Sequence, residues 1–168
     1  MDTQITVALI GLAAALVGLV AALVTHSDVL QRFRNWRTAS DPLDRFTGFI
    51  DAPRSGSRVL ASFQCRGQVS GHLRGAKLWL VVERGNQLWP KEGEIVPDAK
   101  TGRWESTVFE DGARVPFDLS LYAVTELAHE RIRRWLEVGR STGSYPAQTS
   151  REGMRRLARV QGLAVPPN

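Results

Sequence analysis

The sequence predicts a mainly β protein: an antiparallel β-sandwich with one inserted helix, preceded by a single N-terminal transmembrane helix. Three observations carry that prediction. An uncharged apolar run fills Ile5 to Val24. Short segments of alternating polarity, separated by turn residues, recur behind it, which is the signature of packed antiparallel sheets. One late segment, from Thr125 to Gly139, changes to a helical period. The implied organisation is a transmembrane helix over 1–27, a juxtamembrane linker helix over 28–48 and the β-sandwich domain over 49–168.

The first run, "ITVALIGLAAALVGLVAALV", has Thr6 as its one polar residue. About 20 apolar residues at helical rise span the hydrocarbon core of a bilayer, and a soluble core helix seldom stays apolar on every face. A cleaved signal peptide fits poorly, because the chain opens Met-Asp-Thr-Gln without positive charge and no small-x-small site follows. No Lys or Arg precedes the run, whereas Arg32, Arg34, Arg37 and Arg45 follow it. Arginine-rich flanks stay cytoplasmic, so the expected location is the cell membrane, single-pass, with the N-terminus outside and the β-domain inside. Ala8, Gly11, Ala15, Gly18 and Ala22 recur at steps of three and four residues. Such a stripe lets two helices approach closely and points to a homodimer through the membrane helix. Ala13, Ala14 and Ala21 blur the stripe, and small residues are common in membrane helices anyway.

In "SDVLQRFRNWRTAS", Phe33 and Trp36 alternate with arginines, as in a helix at headgroup level or a plain linker helix. Pro42 and Gly48 end it. In "RVLASFQCRGQV", Val59, Ala61, Phe63, Cys65 and Val69 share one face of a strand. "KLWLVVERGNQLWP" puts Leu78, Leu80 and Val82 on one face and Trp79 and Val81 on the other, so this strand belongs in the middle of a layered structure. Gly85-Asn86 turns it into an antiparallel partner through Leu88 and Trp89. "PDAKTGRWESTVFE" is a turn followed by a strand from Arg103, and "PFDLSLYAV" directs Phe117, Leu119, Leu121 and Ala123 inward. In "TELAHERIRRWLEVG", Ala128, Ile132, Trp135, Leu136 and Gly139 line one helical face, with Glu130–Arg134 and Arg133–Glu137 as surface pairs. Gly139 or Gly143 ends the helix. "STGSYPAQTS" is a loop, and "MRRLARVQGLAV" is a last strand, with a short helix as the alternative.

These segments resemble an immunoglobulin-like bacterial domain over 49–165. "FIDAPRSGSRV" is similar to the start of its first sheet, "LWLVV" and the "RW…VF" strand to its central strands, and "PFDLSLYAV" to its penultimate one. The resemblance implies the sandwich fold and brings no catalytic residues. The disulfide of antibody domains is absent, because Cys65 is the sole cysteine.

Catalytic and metal chemistry find little footing. The histidines are His26, His72 and His129, none spaced as metal ligands with another or with Cys65. His129 with Glu126 reads as a surface pair on an amphipathic helix. Cys65 reads as a small core residue, and Trp79 and Trp89 as packing residues. "GHLRGAK" lacks the spacing and the helix that a phosphate loop requires. Asp98, Glu110, Asp111 and Asp118 flank turns without a shared site. The expectation is therefore no enzyme, no cofactor, and no catalytic, cofactor-binding or metal-binding residues.

Net charge is +5, and residues 127–168 hold eight arginines against Glu130, Glu137 and Glu152. Two functions follow from different classes. One is a membrane-anchored, non-catalytic binding or sensor module, with the lipid bilayer and an unidentified protein as partners. The other is a tethered binder of an anionic ligand, nucleic acid or lipid headgroup, through Arg131, Arg133, Arg134, Arg140, Arg155, Arg156 and Arg159. Aromatic interleaving among those arginines is thin, which disfavours nucleic acid.

Overall fold

The computed structural model describes residues 42–71, 75–110 and 115–166. The membrane helix expected over 5–24, its stripe Ala8, Gly11, Ala15, Gly18 and Ala22, and the linker up to residue 41 lie outside the described residues, as do His26, His72 and Asp111. Among the described residues no helix is long and apolar enough to cross a membrane. One compact unit spans Asp41–Asn168.

Seven strands and one α-helix make up the described unit: β1 (Thr47–Ala52), β2 (Ser62–Ser70), β3 (Ala76–Arg84), β4 (Gln87–Pro90), β5 (Arg103–Phe109), β6 (Phe117–Thr125), α1 (Glu126–Thr142) and β7 (Met154–Leu163). They form a three-stranded sheet, β1-β2-β5, and a four-stranded sheet, β4-β3-β6-β7. Every pairing between these strands is antiparallel. The alternating segments thus become strands, except that β2 starts at Ser62 and leaves Val59 and Ala61, expected on its face, in the preceding loop; "MRRLARVQGLAV" is a strand, not a helix.

The main core lies between the sheets. Cys65, Val69, Trp104 and Val108 come from one side, and Leu78, Leu80, Val82, Leu119, Leu121 and Ala123 from the other. Period two sends the remaining residues of the central strands outward. There Trp79, Val81, Tyr122 and Val124 meet Ala128, Ile132 and Leu136 of α1 in a second apolar cluster. That explains the strand with two apolar faces: one faces the other sheet and one faces the helix. Trp79 packs beneath the helix, while Trp89 packs against the inter-sheet core.

The helix is closed at both ends. Thr125 Oγ1 accepts from the backbone N–H of Ala128, and Gly143, with φ +69°, donates its N–H to the Gly139 carbonyl at 2.8 Å. Gly139 is interior to the helix, because the ring of Tyr145 occupies the space where a side chain would stand. Gly67 on β2 has a similar reason. A Cβ there would lie 2.1 Å from the Phe49 carbonyl oxygen and 2.7 Å from the Trp104 ring.

The start of the unit differs from the expected boundary at 49. Pro42–Arg45 form a single 3-10 turn, and Leu43 and Phe46 are buried members of the main core. Arg155 fastens the turn by donating to the carbonyls of Leu43 and Phe46 and by pairing with Asp44 at 3.4 Å. A segment so short shows no periodicity, so its two apolar residues looked like part of a linker.

Candidate functional site

Helix α1 covers only one end of the outer face of the four-stranded sheet. At the other end, the same face is charged. Glu83 is the penultimate residue of β3, shortly before the Gly85-Asn86 turn and opposite Asp118 of β6. Tyr122 and Ser120 follow on β6 and are paired in turn with Arg156 and Arg159 of β7. Arg151 reaches in from the loop before β7. Glu83, Asn86, Tyr122, Arg151, Arg156 and Arg159 line a cleft of about 390 Å³.

Glu83 is 1% exposed. An ionised carboxylate that deep requires partners, and it has several. The Tyr122 hydroxyl donates to it at 3.0 Å. Arg151 Nη2 reaches it at 3.3 Å, and Arg156 Nη1 reaches both of its oxygens at 3.3–3.4 Å. Burial, the strongest single influence, pushes the Glu83 carboxyl up. The hydroxyls of Ser120 and Tyr122 and the guanidiniums of Arg156 and Arg151 outweigh it, and the net shift is downward. Ser120 Oγ has no partner at hydrogen-bonding geometry among the described residues, but it lies close enough to favour the charged carboxylate. Burial and the adjacent negative charge hold Tyr122 neutral, with its pKa raised. Beside this cluster, Arg159 binds Asp118 through Nε at 2.9 Å and through Nη2, and Asp118 also accepts from the Gly162 N–H at 2.8 Å.

The seven arginines singled out from sequence do not form one surface. Arg156 and Arg159 share the Glu83 cleft. Arg133, Arg134 and Arg140 line a separate cleft of about 680 Å³ along α1, where Arg133 pairs with Glu130 and Arg140 with Glu92. The Glu130–Arg133 pair takes the i,i+3 spacing instead of the expected i,i+4. Arg131 donates to the Glu152 carbonyl at 2.7 Å, and Arg155 holds the N-terminal turn. Arg151, Glu83 and Tyr122 were not recognised from sequence. The available signal was Glu83 itself, a carboxylate that directly follows the apolar run Leu78–Val82 near the end of a strand.

His129 is not a surface residue. It is 7% exposed, and its Nδ1 accepts a hydrogen bond from Trp79 Nε1 at 3.1 Å. The rings lie 5.6 Å apart. Helical spacing brings one donor atom each from Glu126, His129 and Glu130 within 4.8 Å of one another, a grouping with a single histidine that the spacing of histidines and cysteines does not show. The Trp79 bond occupies the Nδ1 lone pair and leaves the proton of the neutral ring on Nε2. Glu130 is already paired with Arg133. The trio therefore fits a metal ion poorly.

Glu110, one of the acids noted at strand ends, binds Arg84 at 2.8 Å and also Lys91. Asp98 closes its own turn by accepting from Thr101 and Lys100. No protein-family model matches this sequence, and no curated protein does either.

Proposed function

We propose that this chain is a single-pass, membrane-anchored, non-catalytic binding or sensor module whose cytoplasmic domain is an immunoglobulin-like β-sandwich. One observation carries the non-catalytic part. Every described group with a perturbed proton affinity is moved away from neutrality. Cys65 is pushed up to about 12, Tyr122 and Arg151 are raised, and Glu83 and Asp98 are lowered. General acid–base and nucleophilic chemistry need the opposite, groups tuned toward the working pH. Charges held this firmly suit recognition.

The strand order supports the immunoglobulin-like reading. With β1, β2 and β5 as A, B and E, and β4, β3, β6 and β7 as C′, C, F and G, the two sheets follow the sandwich plan of that class. The apolar run over 5–24 and the arginines behind it support the anchor and its orientation. The small-residue stripe supports self-association of the anchor.

Single-cysteine labelling tests this, because the native Cys65 is fully buried and stays silent. An impermeant maleimide should label Asp2→Cys in intact cells. It should label Ser144→Cys only after permeabilisation, and both variants should remain in alkali-washed membranes. Release by alkali, or the reverse sidedness, overturns the anchored, cytoplasmic reading. Photo-crosslinking of the full chain should yield adducts that an unrelated domain on the same anchor does not. An identical adduct pattern counts against a binding module.

A further inference from the structure

We propose that the Glu83 cleft is a binding site for a phosphate group, an assignment that rests on the binding-module reading and gives it a ligand class. The observation is an imbalance of charge. Three guanidiniums, Arg151, Arg156 and Arg159, converge on two carboxylates, Glu83 and Asp118. Among the described residues one positive charge is left over in this cluster, whose three arginines and Glu83 line a cleft of about 390 Å³ while Asp118 stands behind Arg159. Glu83 accepts from two guanidiniums, and a third stands beside them on Asp118. Crowding like charges is unfavourable unless an anion compensates them.

The carboxylates act as scaffolding. Arg151 contacts Glu83 through Nη2 alone, and Arg156 through Nη1 alone. Arg159 spends Nε and Nη2 on Asp118. Arg151 also interacts with the Tyr122 hydroxyl, yet with five N–H groups each guanidinium keeps further donors that have no partner among the described residues, and it is held in place by the acid behind it. Preordered forks lose little entropy on binding. Donors arriving from three residues on two elements match a tetrahedral oxyanion, whose oxygens point in different directions. A planar carboxylate is satisfied by one fork. Asn86, at the rim, adds a carboxamide donor.

The test uses the full chain in maltoside micelles, which contain no phosphate, with chloride holding ionic strength constant. Inorganic phosphate should cause saturable shifts of the Arg151, Arg156 and Arg159 side-chain resonances. Arg159→Gln and Arg151→Gln should each weaken apparent affinity about tenfold, the loss of one charge-assisted hydrogen bond. Arg134→Gln, outside the cleft, should not. Dihexanoyl phosphatidic acid added to the micelles distinguishes the sources. A stronger response than to inorganic phosphate assigns the group to a lipid headgroup, and an equal or weaker one to a soluble phosphate ester. Should a variant fail to fold, the wild-type shift map decides. Shifts centred on the cleft support the site, and shifts centred on Arg133, Arg134 and Arg140 overturn it. Silence toward both ligands, or a response that chloride reproduces, also overturns it. The labelling result is independent of this titration, so either idea can fail alone.

Discussion

Cys65 is 0% exposed in the inter-sheet core, and burial pushes its thiol from 9.0 up to about 12. Above pH 9 the unfolded chain releases that proton while the folded chain keeps it. Stability contributed by the neutral thiol is therefore lost as pH rises between those values, by up to about 1.4 kcal/mol per pH unit. Cys65→Ala should flatten the alkaline limb of a urea-unfolding stability curve relative to wild type. The cavity it leaves lowers the whole curve but is independent of pH, so parallel limbs would contradict the buried-thiol account. Tyr122 is also raised, and since it is present in both proteins it cancels in the comparison. Glu83 works in the opposite direction. Its lowered carboxyl stabilises the fold above the ordinary value of 4.5, and that contribution disappears as pH falls through the lowered one.

At the scale of elements, α1 owes its seat to specific contacts as much as to its apolar stripe. Trp79 donates to His129 from beneath, and Trp135 stacks edge-on with Tyr145 at 5.4 Å. Tyr145 lies over Gly139, and its carbonyl accepts from Trp89 Nε1 at 3.2 Å. An exposed helical glycine changed to alanine ordinarily gains about 1 kcal/mol. Here the new methyl group would stand 2.1 Å from the Tyr145 ring and displace it. Gly139→Ala should instead cost about 1 kcal/mol or more, through the lost ring stack and loop contacts. In a Tyr145→Ala background the same change should become stabilising. A double-mutant cycle by chemical denaturation reads the reversal directly; additive effects would dismiss the Gly139–Tyr145 contact as the cause.

For the molecule as a whole, the question is where the folded unit starts. Leu43 and Phe46 are 1% and 2% exposed within the main core, and burying each contributes about 1.5–3 kcal/mol. That is a large share of the few kcal/mol by which domains are normally stable. A fragment of residues 41–168 should unfold cooperatively. One of residues 49–168 should be less stable by about 3 kcal/mol or more, with exposed apolar surface that binds a hydrophobic dye. Equal midpoints for the two fragments would return Leu43 and Phe46 to the linker.

The sequence by itself determined the strands, the helix and the inward faces, because period two and period 3.6 are local properties of a chain burying one side of each element. Cys65, Leu80 and Leu121 could be placed inward, and Gly85-Asn86 named as a turn, without any knowledge of neighbours. Tertiary structure alone decided what each face meets. Trp79 and Val81 look alike to Leu80 and Val82 in sequence, but helix α1 covers the first pair and the opposite sheet covers the second. His129 was legible as a helical residue and not as a buried one, since its partner Trp79 is fifty positions away. The charged cleft was equally hidden: Glu83, Tyr122, Arg151 and Arg156 come from four separate segments, and their carboxylate, phenol and guanidiniums act together only because strand pairing sets them side by side. The arginine-rich C-terminus looked like one basic surface for the converse reason. Charge along a chain adds up by counting, whereas a fold distributes the arginines over separate faces and sets acids beside some of them, as Glu83 stands beside Arg156 and Asp118 beside Arg159.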